Sequence, residues 1–126
     1  VVPVIALAAA IVLGFRTLVA VADSGAVPEA AMKEAQEIFA TRCSACHGAS
    51  GKGDGPGSAA LNPKPRNLSD PTWQKSVSDD YIEKIIQYGG AAVGRSPMMP
   101  GNPDLISKPD VVKGIRATVR GLAQKQ

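Results

Sequence analysis

Histidine occurs once in this chain, at position 47, and cysteine twice, at 43 and 46. Two cysteines are too few for a scaffold stapled by several disulfides. One histidine leaves no second imidazole for a His-rich metal cluster or for a histidine general base. Aromatic residues make up 4% of the chain: Phe15, Phe39, Trp73, Tyr81 and Tyr88. No segment repeats at a fixed period, and none reads as collagen or coiled coil, which excludes solenoids and fibrous arrays. At 126 residues the chain has room for one domain. Its 44% apolar content permits a core. Glycine and proline nevertheless take 23 positions between them, many for a compact fold. The interior is expected to be filled in part by something other than side chains.

Charge is unevenly placed. Residues 105–126 carry Lys108, Lys113, Arg116, Arg120 and Lys125 against Asp110, a net +4, and the rest of the chain is −1. The sequence pI near 9.0 therefore belongs to the C-terminal segment. A basic helix suits anionic lipid or an acidic protein patch, and more commonly it is only a solvated face. Nucleic acid is not expected as a partner.

Residues 1–15, VVPVIALAAAIVLGF, carry no charge. Arg16 and Thr17 interrupt, and an apolar run resumes over 18–22. One reading is an export signal with a small-residue cleavage site at Ala20-Val21-Ala22. The other is a membrane anchor. Fifteen helical residues span about 22 Å, short of a ~30 Å hydrocarbon core, and extension to Ala22 suffices with Arg16 at the interface. The length favours the anchor. Both readings place the following domain outside the cytoplasm, on the periplasmic side of a bacterial inner membrane. The expected organisation is a hydrophobic segment 1–22, a linker 23–28 and a domain 29–126.

Three helices are predicted. The first covers 29–42, with Ala35, Ile38, Phe39 and Arg42 on one face. The second covers 79–88, capped by Ser76 or Ser78, with Asp79 and Asp80 in its first turn, Ile82, Ile85 and Ile86 as its buried stripe, and Gly89-Gly90 at its end. The third covers 109–123, with Pro109 in the first turn and Val111, Val112, Ile115, Val119 and Leu122 inward. From Gly48 to Lys75 no period survives. Glycines 51, 53, 55 and 57 with prolines 56, 63, 65 and 71 oppose regular structure there. A loop this long fits a compact domain if it wraps a cofactor. A second irregular stretch runs from Ala91 to Ser107. No strand is convincing.

Cys43-Ser44-Ala45-Cys46-His47 is C-x-x-C-H, the pattern of c-type haem attachment. Two thiols one helical turn apart can add to the two vinyl groups on one porphyrin edge, and the adjacent imidazole can then turn under the ring to iron. A redox dithiol would want a βαβ context, and a zinc site would need further Cys or His. With the only histidine on iron, a sixth ligand must come from elsewhere, and methionine is the thioether option. Met32 lies in the first helix, too close in sequence to reach the far face. Met98 and Met99 sit between Pro97 and Pro100, with enough chain to pass around the ring.

These features, in this order, resemble a monohaem class I c-type cytochrome of the short-loop bacterial type. The resemblance covers about residues 29–123. It implies an all-α fold of about three helices and long loops around one covalent haem c per chain, with Cys43 and Cys46 as attachment points. His47 and Met99 would be the axial iron ligands, since the family's methionine commonly precedes proline directly. It also implies that Ala35 and Phe39 pack against the C-terminal helix. The aromatic partner usual in that helix is replaced by Thr118, which is expected to weaken the crossing. A proline carbonyl holds the histidine Nδ1–H in such proteins, and Pro65 is the preferred match, with Pro63 the other candidate. Arg66 and Trp73 resemble residues that bond haem propionates.

The implied function is one-electron transfer and not catalysis, because six-coordinate iron has no open position. Expected partners are a quinol-oxidising complex, a terminal oxidase or a photosynthetic reaction centre, with the chain as a membrane-tethered subunit. Lys52, Lys64, Arg66 and Arg95 against Asp54 and Asp70 suggest a salt-sensitive contact with an acidic face. The basic C-terminal helix would add attraction to anionic lipid. The alternative class is a peroxidase-like enzyme or gas sensor with a displaceable methionine.

Overall fold

The computed structural model describes residues 25–125. The hydrophobic segment 1–22 and residues 23–24 of the linker lie outside the described residues. Among the described residues the regular structure is helical, with no strand, and no helix is long and apolar enough to cross a membrane.

Helix α1 (Glu29–Ile38) starts after Pro28 and buries Ala35 and Ile38. The chain does not stop at 42 as predicted. It continues as a π-helical turn, Phe39–Cys43, and then as α2 (Ser44–His47). Two hydroxyls bond back around the wider turn: Thr41 Oγ1 donates to the Glu37 carbonyl at 2.7 Å, and Ser44 Oγ to that of Ala40 at 2.6 Å. The motif thus stands at the end of one continuous helical run.

Helix α3 (Pro71–Ser76) falls inside the stretch that was expected to be irregular. Its start is nonetheless well specified. Asp70 accepts from the Thr72 N–H at 2.9 Å, and Pro71 takes the first position, where no N–H is needed. Helix α4 (Asp79–Tyr88) has the predicted bounds. Ser78 Oγ caps it by accepting from Tyr81 N at 3.1 Å, and Ile82 and Ile86 are buried. Helix α5 (Pro109–Gly121) ends slightly earlier than predicted and tightens into a 3₁₀ turn, Leu122–Lys125. Its predicted stripe, Val111, Val112, Ile115, Val119 and Leu122, is the centre of the core, joined by Leu68 and Leu105.

Helices α1 and α5 cross closely. Gly114 makes the crossing possible, because a Cβ there would sit 2.7 Å from the Ala35 Cβ. The helices therefore meet small residue on small residue, without an aromatic. Thr118 folds its hydroxyl back to the Gly114 carbonyl at 2.9 Å. The space that a larger side chain would fill remains as a groove of about 320 Å³ beside Met32, Phe39, Ala117 and Leu122.

The basic helix is not the open positive face that its composition suggested. Lys108 pairs with Glu34 at 2.6 Å, and Lys113 with Asp110 at 3.5 Å. Arg116 meets Asp79 at 2.9 Å and Glu83 at 3.2 Å, and Arg120 meets Asp79 at 2.8 Å. Arg120 also donates to the Val77 carbonyl at 2.8 Å and to Gln74 Oε1 at 3.0 Å. Gln74 is buried, and its Nε2 donates to the carbonyls of Leu68 and Val119 at 2.7 and 2.8 Å. These side chains fasten α3 and α4 to the end of α5.

Candidate haem-attachment site

The end of the first helical run presents the chemistry. Cys43 and Cys46 are free, partly buried thiols. Burial pushes the Cys43 thiol up to about 11, against the smaller opposing pull of Arg42, so it stays protonated at neutral pH. His47 is partly buried in the same turn. Its Nδ1 lies 3.0 Å from the Arg66 carbonyl. A carbonyl only accepts, so the proton is on Nδ1 and the Nε2 lone pair is left for a metal. Burial holds His47 below its ordinary pKa, partly offset by this hydrogen bond, so the imidazole is neutral. Such a bond fixes a ligand histidine's tautomer and raises its basicity.

The partner carbonyl differs from the expected one. It belongs to Arg66, not to Pro65 or Pro63. The reason lies in the glycine-rich wrap. Gly53 has φ +81°, and its open α-carbon faces the Pro65 carbonyl so closely that any Cβ would collide with it. Pro65 thus packs its carbonyl on Gly53, and the next one along the chain turns to the imidazole. Pro63 follows a cis peptide at Asn62.

The wrap also satisfies the end of the helical run. Gly53 N donates to the His47 carbonyl at 2.8 Å, Gly55 N to that of Cys46 at 3.1 Å, and Leu68 N to that of Gly51 at 2.6 Å. The first two are helix-end carbonyls that would otherwise lack partners, and the third ties Leu68 to the wrap. Arg66 and Trp73, which were expected on propionates, lie together. The Arg66 guanidinium stands 5.8 Å from the Trp73 ring centre and bonds Asp70 at 3.1 Å. Trp73 is half-buried against the core.

The two candidate methionines differ sharply. Met98 is 61% exposed, and Met99 is partly buried. The Met99 carbonyl accepts from Gly90 N at 2.9 Å, and Met99 N donates to Ser96 at 3.2 Å. Asn102 completes the anchorage, its N donating to the Gln87 carbonyl at 2.9 Å and its Nδ2 to that of Ile86 at 2.8 Å. The loop is thus laced to the C-terminal end of α4. Met32 stands well apart, on α1 beside the groove.

The residues present fit a covalent haem c. The thiols lie three positions apart on one helical run, and the imidazole beside them is neutral with a fixed tautomer. At Gly57 a Cβ would approach the Ala45 carbonyl, between the two cysteines, to 3.1 Å, so the wrap passes close to the motif where glycine stands.

An all-helical fold that ends its first helical run in this motif defines a c-type haem protein. Residues 32–113 match the family described as Cytochrome c, and the chain belongs to the cytochrome c family. A comparison with curated proteins finds no match. Membership carries covalent haem c on Cys43 and Cys46, and with it the role of a haem-based electron carrier. One sequence signal went unused. Asp70-Pro71 marks a helix start that places Trp73 and Gln74.

Proposed function

We propose that the carrier moves single electrons through an iron held by His47 and Met99, within a membrane respiratory or photosynthetic chain. The anchorage of the Met99 loop supports this reading most directly. A thioether is a weak ligand, and it persists where the backbone delivers it without further ordering. Gly90, Ser96 and Asn102 supply that delivery. The fixed tautomer of His47 supports the reading too, since it leaves the Nε2 lone pair available to iron. Bound haem supplies an iron that cycles between ferric and ferrous states. The protein's part is to keep both ligands in place in both states and to exclude water from the ring. Arg66 and Trp73 lie against each other beside the wrap, and on this reading they would bond a propionate.

The site is not an enzyme's on this reading, because His47 and Met99 together would leave the iron no open position and no second histidine is available as a base. The apolar segment 1–22 serves as the anchor and places the domain on the periplasmic face of the inner membrane, where a quinol-oxidising complex, a terminal oxidase or a reaction centre is the partner. Exchanging each methionine for leucine tests the ligation. Met99→Leu should abolish the far-red band of methionine–iron bonding and admit carbon monoxide rapidly in the reduced form. Met98→Leu should change neither. The reverse pattern would transfer the ligand role to Met98.

A further inference from the structure

The bonds of the Met99 loop to α4 hold it from one side. From the other side it is held by a residue of the haem-binding motif's own helix. Arg42 directly precedes Cys43. Its Nη1 reaches Asp104 Oδ2 at 3.0 Å and Oδ1 at 3.1 Å, and Asn102 Oδ1 at 3.3 Å. Asn102 is the residue that also grips the Ile86 and Gln87 carbonyls. Arg42, Asn102 and α4 therefore form one chain of contacts across the Met99 loop, and Pro100 and Pro103 stiffen the short path from Met99 to Asp104. Without the arginine, the loop would be held by its bonds to α4 and the residues just after it alone.

We propose that Arg42 is a positioning residue whose clasp on Asn102 and Asp104 sets how readily an outside ligand displaces the Met99 thioether. The inference rests on the His47 and Met99 ligation proposed above. Both partners of the ion pair are about half exposed, 47% and 52%. The effect is correspondingly modest, a change of about two- to five-fold in a displacement equilibrium, and it is sensitive to salt.

The test uses the full-length ferric holoprotein with imidazole as the competing ligand, followed by absorption. Arg42→Gln should bind imidazole about two- to five-fold more tightly. Asp104→Asn should do the same, and the double variant should add little further. Arg42→Lys should recover part of the wild-type resistance. Raising salt should weaken the wild type's resistance and leave Arg42→Gln unmoved. Arg120→Gln is the control for general loosening, because Arg120 fastens α5 to α3 and α4. The proposal is overturned if Arg42→Gln keeps wild-type imidazole affinity, or if Arg120→Gln raises it equally. If Met99→Leu binds imidazole no more tightly than wild type, the ligation reading itself has failed, and the clasp falls with it.

Discussion

His47 illustrates how much one hydrogen bond decides. The Arg66 carbonyl fixes the tautomer, and burial disfavours the imidazolium. A histidine whose folded pKa is depressed stabilises the fold fully above its unfolded value of about 6.5, and that contribution is lost as pH falls through the lower folded value. Under the proposed ligation, iron at Nε2 would oppose the proton further. The ferric spectrum should therefore hold steady on acidification through pH 6.5 and change only at more acid values. A spectral midpoint at 6.5 would show an imidazole that is neither buried nor bound. The choice between Met98 and Met99 belongs to the same scale. Adjacent residues of identical chemistry differ because one carbonyl is pinned by Gly90 and the neighbouring side chain projects into solvent.

Among the elements, the α1–α5 crossing departs most from the pattern the family resemblance implied. Gly114 allows an approach that no other residue permits, and Thr118 leaves the neighbouring groove open. Gly114→Val should destabilise the protein by about 1–3 kcal/mol, the usual cost of overpacking a close contact. Thr118→Phe should stabilise it by about 1 kcal/mol by burying an aromatic ring beside Met32 and Phe39. Denaturant unfolding of the holoprotein measures both, and a destabilising Thr118→Phe would mean the groove cannot accept a ring. Legibility in the sequence followed locality. Helix α4 was readable to its bounds, because Ser78, the isoleucine stripe and Gly89 are all local signals. Helix α3 was not read, because Asp70-Pro71 stands in a crowd of glycine and proline that drowns one cap. The cysteines and His47 were legible from spacing alone. The carbonyl facing His47 was not, because which of two successive carbonyls turns inward depends on Gly53, a dozen residues away along the chain. The groove and the Arg42 clasp needed contacts across sixty or more positions, which no window of sequence contains.

At the scale of the whole molecule, the cations behind the basic pI are drawn into ion pairs around α5. Asp79 alone receives two arginines of α5, and Glu34, Glu83 and Asp110 take up the rest of the described pairings. The sequence displays the cations as a cluster, and folding brings Glu34 of α1 and Asp79 and Glu83 of α4 to them, while Asp110 pairs within α5 itself. The C-terminal helix accordingly presents fewer unpaired cations than its composition suggests. A variant beginning at Asp23 should be soluble, carry haem, cycle between redox states and fail to pellet with anionic vesicles at physiological salt. The full-length protein should stay with membranes through a high-salt wash. Release by salt alone would contradict the anchor and leave the electron carrier in place. The crossing of α1 with α5 also has a consequence for biosynthesis. The surface that α1 buries is supplied by residues synthesised some eighty positions after Ala35. Until then, the attachment motif trails a helix whose partner has not been made. A chain cut short before Pro109 would keep both cysteines and the histidine and still lack the helix on which α1 packs, so a stop codon at that point should be as damaging as the loss of a cysteine.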